Sequence, residues 1–313
     1  MLVVRVPGDL PVERRPLSHE QPMTLGDEAH AAIDGVVRGG ARGAVVEADN
    51  LEALEALPDG CVDLAYADPP FATGRAQRLV SVRSSQGAGQ PTRTGFRGKR
   101  ASYATVSDLA WDDDLPLDDH LAALEARVRQ VHRVLAPHGS LYLHVDWRTV
   151  HHVRLLLDRV FGTERFLNEL VWAYDYGGRA ADRWPRKHDT ILWYAKGPAW
   201  RFEREAIDRV PYLAPGLVGP EKAARGKLPT DVWWMTIVPP ASPERTGYPT
   251  QKPVRLLERI VAASSRPGEL VLDPYAGSGT TAVAAARLGR RWLLVDRNPE
   301  AVAIARRRLE AEA

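Results

Sequence analysis

Short apolar runs alternate with stretches of helical period along most of this chain. Ala44-Val-Val-Glu-Ala and Val62-Asp-Leu-Ala-Tyr-Ala67 read as strands, with a short helix over 50–57 between them. Over 118–135 the apolar positions Leu121, Leu124, Val128, Val131 and Leu135 recur at helical spacing, and Pro137 to Gly139 ends that helix. A strand at 139–145, a helix near 147–160 and two aromatic-rich strands, FLNELVWAY and DTILWYA, come next. That pair is expected to close one edge of a sheet. The rhythm lapses over 196–250, rich in Pro, Gly, Arg and Trp, which reads as an irregular insert. It then resumes with helix 253–264, strand 269–273, a glycine turn, helix 279–288, strand 291–295 and a last helix from Pro299. This order predicts an α/β fold: a mostly parallel sheet with helices on both faces. Residues 1–43 lack such a period and read as a loosely docked leader with one short helix near 26–38.

With 313 residues, 44% hydrophobic and 26% charged, the chain can bury a sizeable core. No apolar run approaches the roughly 18 residues of a membrane-spanning helix, and MLVVRVPGDL is broken before a signal-peptide core can form. A lone cysteine, Cys61, excludes a disulfide framework and a Cys-rich zinc module, which points to a reducing compartment, the cytoplasm. The net charge of +2 says little, but its distribution says more. Between Ala72 and Ser107 stand Arg75, Arg78, Arg83, Arg93, Arg97, Lys99 and Arg100 with no acidic residue. This stretch reads as a loop, either solvated or clamping phosphates.

Two motifs carry chemistry. In VLDPYAGSGTTAVAAARLGRRWLLVDRN a strand ends at Asp273, Gly277 and Gly279 make a tight turn, a small-residue helix follows, and the next strand ends at Asp296. Glycines let the backbone approach a cofactor, and a carboxylate about 20 residues on suits both hydroxyls of a ribose. A dinucleotide would need a second nucleotide half, and only 17 residues follow Asp296. Asp273 also suits an ammonium better than a pyrophosphate. S-adenosylmethionine carries both an ammonium and a ribose; a purely structural turn is the bland reading.

The second motif, Asp68-Pro69-Pro70-Phe71, directly follows an apolar strand. The amino group of a nucleobase is a poor nucleophile because its lone pair is delocalised into the ring. The Asp68 carboxylate and the Pro69 carbonyl would grip its two N–H bonds and localise that pair. The prolines fix both acceptors through their locked φ, and Phe71 would stack on a base drawn out of the duplex. A rigid turn with an exposed aromatic is the bland reading.

Together the motifs resemble the amino-methylating DNA methyltransferases in which Asp-Pro-Pro precedes the S-adenosylmethionine-binding motif, the beta-class order. The resemblance covers residues 44–311. It extends to Pro249-Thr-Gln-Lys252-Pro253, Gly139-Ser-Leu-Tyr-Leu-His144, and Asn168-Glu-Leu-Val-Trp172 running to His188-Asp189. It implies a circularly permuted Rossmann-like methyltransferase sheet. The parts are a leader (1–43), a catalytic half (44–195) with the basic DNA loop 72–107, a target-recognition insert (196–250) and a cofactor-binding half (251–313). Lys252, Pro253 and Asp273 with Tyr275, Ala276, Gly277, Ser278, Gly279, Thr280 and Thr281 would hold the methionine part of S-adenosylmethionine. Asp296, with Arg297 and Asn298 beside it, would hold the ribose, and Asp49 would lie near the adenine ring. Asp68 would stand between cofactor and target, and the seven basic residues of 72–107 would contact DNA.

The implied reaction is site-specific, direct in-line methyl transfer to N6 of a flipped adenine in duplex DNA. N4 of cytosine is the alternative, since Asp at the first motif position is more typical of adenine enzymes and Ser of cytosine enzymes. A catalytically inactive DNA-binding protein is the distant one. Implied partners are double-stranded DNA, a cognate restriction endonuclease and a second copy of the chain. C5 methylation is disfavoured because Cys61 precedes a buried strand and lies in no Pro-Cys loop. His144 and Asp146, on one face of a strand, match part of a non-haem iron ligand set, but the same residues are accounted for as a sheet strand, and no metal is expected.

Overall fold

The computed structural model describes residues 25–72, 115–177 and 179–312, together with the backbone strands at 2–5, 77–85, 93–94 and 100–111. In chain order the first elements are β1 (Leu2–Arg5), α1 (Asp27–Val37), β2 (Gly43–Glu47), α2 (Asn50–Glu55) and β3 (Val62–Ala67). Then come β4 (Gln77–Ser85), β5 (Arg93–Thr94), β6 (Arg100–Trp111), α3 (Leu117–Val134), β7 (Leu135–Val145) and α4 (Val150–Phe161). The rest are β8 (Phe166–Ala173), β9 (His188–Ala195), α5 (Pro220–Arg225), β10 (Val232–Trp234), α6 (Val254–Ser264), β11 (Leu270–Asp273), α7 (Thr280–Arg287), β12 (Arg291–Asp296) and α8 (Pro299–Glu310).

Eight strands form the main sheet in the order β10-β8-β9-β7-β3-β11-β12-β2. Every pair is parallel except those made by β9, which runs against both β7 and β8. The period of two explains how β3 serves both faces. Ala65 and Ala67 pack with Leu54, Leu124, Val128, Val153 and Leu157 from the helices before β8, and Val62 joins them because a register irregularity separates it from Leu64. Leu64 and Tyr66 pack with Leu257, Ile260 and Val283 from α6 and α7. Because this strand is covered on both sides, it reads as a near-continuous apolar run.

Three expectations are corrected. The stretch 72–107 is not one open loop: β4, β5 and β6 are antiparallel neighbours, with Arg78 opposite Ala110, Arg83 opposite Ala104 and Arg93 opposite Ala101. Residues of high strand propensity, Val80, Val82, Tyr103, Thr105 and Val106, favour the ladder, and the interspersed arginines masked it. The leader is not merely loose. Leu2–Arg5 pairs with β4, and together with β5 and β6 it makes a small sheet in a separate compact unit. Helix α1 buries Ile33 and Val36, and Arg291 Nη1 donates to the Val36 carbonyl at 2.6 Å. The insert 196–250 is irregular for much of its length but contributes β10, which adds to the main sheet beside β8. Among the described residues, no helix is long and apolar enough to cross a membrane.

Candidate functional site

The carboxyl ends of β3, β11, β12 and β2 lie side by side, and the chain leaves each of them through a residue singled out above. β3 and β11 pair in register, Leu64 with Val271 and Ala65 with Leu272. Asp68, just past β3, and Asp273, the last residue of β11, therefore emerge at the same edge. β12 ends at Asp296, and Ala48, after β2, donates its N–H to the Asp296 carbonyl at 3.2 Å, so Asp49 emerges there too.

At the glycine turn the backbone takes conformations open to glycine. Gly277 has φ +50°, and Gly279, the residue before α7, has φ +76°. A Cβ on Gly279 would stand 2.9 Å from Ala305 Cβ, so the turn also packs tightly against α8. Asp273 is buried; it accepts the Tyr275 N–H at 2.9 Å and the Thr281 hydroxyl at 2.5 Å. Burial above all, and then the neighbouring Asp68 and Asp296 carboxylates, push its pKa up to about 7. Asp296 accepts N–H bonds from Gly277 (2.8 Å) and Asn298 (2.9 Å), and burial raises its pKa as well. Ala276 donates to the Val295 carbonyl at 3.0 Å. Ser278 and Thr280 are buried beneath Arg308, whose Nη1 donates to Thr280 Oγ1 at 2.9 Å. Arg297 is exposed at the rim. Asp49 caps α2 by accepting the Leu51 N–H at 2.8 Å and pairs with Arg127 at 3.1 Å.

Lys252 joins the two motifs. Its ammonium hydrogen-bonds Asp68 Oδ2, its carbonyl accepts from Thr280 Oγ1 at 3.2 Å, and Pro253 next to it starts α6. Asp68 Oδ1 takes no hydrogen bond among the described residues. Pro69 is buried, Pro70 is exposed, and the half-buried Phe71 ring lies 5.9 Å from the His144 ring and 5.6 Å from Lys252 Nζ.

Three carboxylates, Asp68, Asp273 and Asp296, thus surround a glycine turn, and the Lys252 ammonium pairs with Asp68 alone among them. Mutual repulsion and burial leave this edge short of positive charge. A ligand with an ammonium and a sulfonium fits that deficit; a polyanion does not.

Several further residues near the site were not expected to take part in it. His144, expected on a sheet strand and matched there to part of an iron ligand set, is fully buried. Its Nε2 faces Asp189 Oδ2 at 3.2 Å and its Nδ1 faces the Tyr66 hydroxyl at 2.8 Å. Asp189 Oδ2 accepts from Nε2, and the Tyr66 hydroxyl bonds to Nδ1; burial holds the Tyr66 phenol well above its usual range. Burial opposes charge on Asp189, yet hydrogen bonds from His144 and Tyr174, with Lys252 nearby, keep it below the ordinary carboxylate range. Tyr248 lies over the glycine turn, close enough that a Cβ on Gly277 would sit 3.1 Å from its ring. Burial, followed by Asp296, Asp68, Glu300 and Asp273, raises its phenol pKa. Asn50 donates to the Pro274 carbonyl at 2.8 Å and accepts from Arg127 at 2.5 Å. Position next to Pro249–Pro253 was the only available signal for Tyr248; the others meet partners far away in sequence. Of the basic residues expected to meet DNA, Arg78 and Arg83 fall on β4, Arg93 on β5 and Arg100 on β6, whereas Arg75, Arg97 and Lys99 lie outside the described residues.

A family model described as DNA methylase, of N6/N4 type, matches residues 62–307. The Type II methyltransferase M.HpaI of Haemophilus parainfluenzae is 29% identical over 263 residues, covering 84% of this chain and 72% of that one. The DNA adenine methyltransferase YhdJ of Escherichia coli K12 is 29% identical over 304 residues, covering 93% and 86%. Among solved structures, the cytosine-N4-specific PvuII DNA methyltransferase superposes with a TM-score of 0.60 at 17% identity over 86% of each chain. M1.HpyAVI in complex with S-adenosylmethionine gives 0.54 at 19% identity, over 85% of this chain and 98% of that one.

Proposed function

The chain belongs to the N6/N4 DNA methylase family, and from that premise we propose that it transfers a methyl group from S-adenosylmethionine to N6 of an adenine flipped out of duplex DNA. One observation carries this reading. Asp68 and the glycine turn leave adjacent strands at one edge, and Lys252 ties them together.

When bound, S-adenosylmethionine supplies an electrophilic methyl group on a sulfonium. In this reading Asp273, with the backbone of 275–279 and the hydroxyls of Thr280 and Thr281, takes the amino-acid end. Asp296, flanked by Asn298 and Arg297, takes the ribose hydroxyls, and Asp49 lies by the adenine ring. Lys252 holds Asp68 through Oδ2, while Oδ1 and the Pro69 carbonyl accept the two N–H bonds of the target amino group. Phe71 stacks on the everted ring against His144 and offsets part of the few kcal/mol that extrusion costs. The donor would leave as a neutral thioether, the proton shed by the methylated nitrogen would pass to solvent, and no covalent enzyme intermediate would form, so positioning and polarisation of the amino group are what the protein contributes.

Adenine is favoured over cytosine by Asp at position 68 and by the YhdJ relative, named for adenine. The PvuII neighbour, named for cytosine N4, speaks for the second reading, N4 of cytosine. Incubating DNA with the protein and methyl-labelled S-adenosylmethionine, then analysing the nucleosides by mass spectrometry, separates the two. Label in N6-methyladenine is expected. Label in N4-methylcytosine would transfer the mechanism to cytosine, and no labelled nucleoside would overturn the activity. In this reading the basic strands of 77–100 and the insert 196–250 contact DNA, and a second copy of the chain and a cognate endonuclease are candidate partners.

A further inference from the structure

The segment 174–187, which joins β8 to β9, carries Arg179, Arg183, Arg186 and Lys187, and the turn between β7 and α4 carries Trp147 and Arg148. These arginines and Trp147, with Trp184, line an open cleft of about 320 Å³. The Arg186 guanidinium lies 3.4 Å from the centre of the Trp147 ring, and that of Arg148 lies 4.7 Å from it. Arg148 is paired with Asp146 and Arg183 with Asp182, but Arg179 and Arg186 make no ion pair among the described residues. Trp184 is 92% exposed, an unusual position for an indole with no partner surface.

Position identifies the partner. The cleft sits at the carboxyl end of β7, the strand paired with β3, and Leu143 lies opposite Ala67, the residue before Asp68. On strand spacing it borders the Asp-Pro-Pro-Phe motif within roughly 10–15 Å. Asp146 and Asp182 pair with Arg148 and Arg183, which leaves Arg179 and Arg186 without an ion pair among the described residues. Unpaired guanidinium groups interleaved with flat aromatic rings are the chemistry of phosphates and stacked bases.

We propose that this cleft grips the DNA strand flanking the everted nucleotide, a reading that rests on the DNA-methyltransferase function above. Arg179 and Arg186 hold phosphates, and the Trp184 indole enters the stack where the base has left. This surface lies outside both 72–107 and 196–250.

The test measures binding to a fluorescein-labelled mixed-sequence duplex, intact or with a central abasic site, by anisotropy across a salt series. Arg179→Gln with Arg186→Gln should lower the slope of log K against log salt by about 1.8, since each phosphate contact contributes about 0.9. Trp184→Ala should leave that slope unchanged and weaken binding to the abasic duplex about tenfold. All three side chains are at the surface, so circular dichroism and the unfolding midpoint should match those of the parent protein. A parent-like slope in the double arginine variant, or parent-like abasic binding in Trp184→Ala, overturns the cleft while methyl transfer by the parent stands. A parent protein that neither binds the duplex nor methylates DNA would instead remove the functional reading itself.

Discussion

Lys252 donates a hydrogen bond to Asp68 across 184 residues of sequence, and that contact joins the two motifs. The lysine is anchored on both sides. Pro253 fixes the start of α6 behind it, and Thr280 at the start of α7 donates to its carbonyl. The ammonium commits only one of the carboxylate's oxygens, Oδ2.

Asp68→Ala should therefore abolish methyl transfer, by about a hundredfold or more, because no acceptor remains to draw the lone pair out of the target ring. Binding of S-adenosylmethionine, measured by calorimetry, should change little. Turnover at the parent rate would refute the assignment.

The raised pKa of Asp273, about 7, has two consequences of opposite sign. In the unfolded chain this group loses its proton near pH 4, but in the fold it keeps it until about 7. The folded protein therefore binds more protons over that window, and its stability without ligand falls as pH rises from about 4 to 7. A ligand ammonium needs the charged carboxylate, so affinity for S-adenosylmethionine should weaken about tenfold per unit below pH 7 and level off above it. Calorimetry in buffers of different ionisation enthalpy should show proton release on binding. A dissociation constant that stays flat between roughly pH 6 and 8 would separate Asp273 from the amino group.

Gly279→Ala combines a positive φ with a Cβ 2.9 Å from Ala305. The expected loss is about 1–3 kcal/mol, or about 2–4 °C in Tm per kcal/mol for a chain of this size. Thermal unfolding that matches the parent would mean that α8 yields freely.

Tyr66→Phe leaves the buried His144 Nδ1 without its hydrogen-bond partner, which costs about 1–3 kcal/mol in stability. Because the His144 ring lies against Phe71, kcat should fall more than KM rises if the ring positions the aromatic wall of the site. Equal unfolding midpoints and equal kinetics would show that the hydrogen bond is dispensable.

Much of the fold was legible because it is local. The apolar run Val62–Ala67 coincides with β3, and the glycines at 277 and 279, flanked by Asp273 and Asp296, announce their turn by residue type alone. What was not legible depends on partners far along the chain. The apolar segment Leu2–Arg5 has no meaning until Leu79–Val82 lies beside it. The arginines of β4 and β6 gave their strands the look of a loop, although the backbone ladder is satisfied regardless of charge. Arg127 gave no hint of Asp49 and Asn50, more than seventy residues away, because its place on α3 matches that of any solvated arginine.

The order of strands across the main sheet bears on how the protein comes into being. β11 and β12 lie between β3 and β2, yet they are made long after both. While the ribosome is still extending the chain, β2 and β3 stand apart by three strand spacings, roughly 14 Å, with no backbone partner to bridge them. A nascent chain that carries Asp68 but not yet Asp296 thus holds a half-sheet with two open edges. Such edges invite pairing with other chains, and the edge of β3 closes only once β11 has been made.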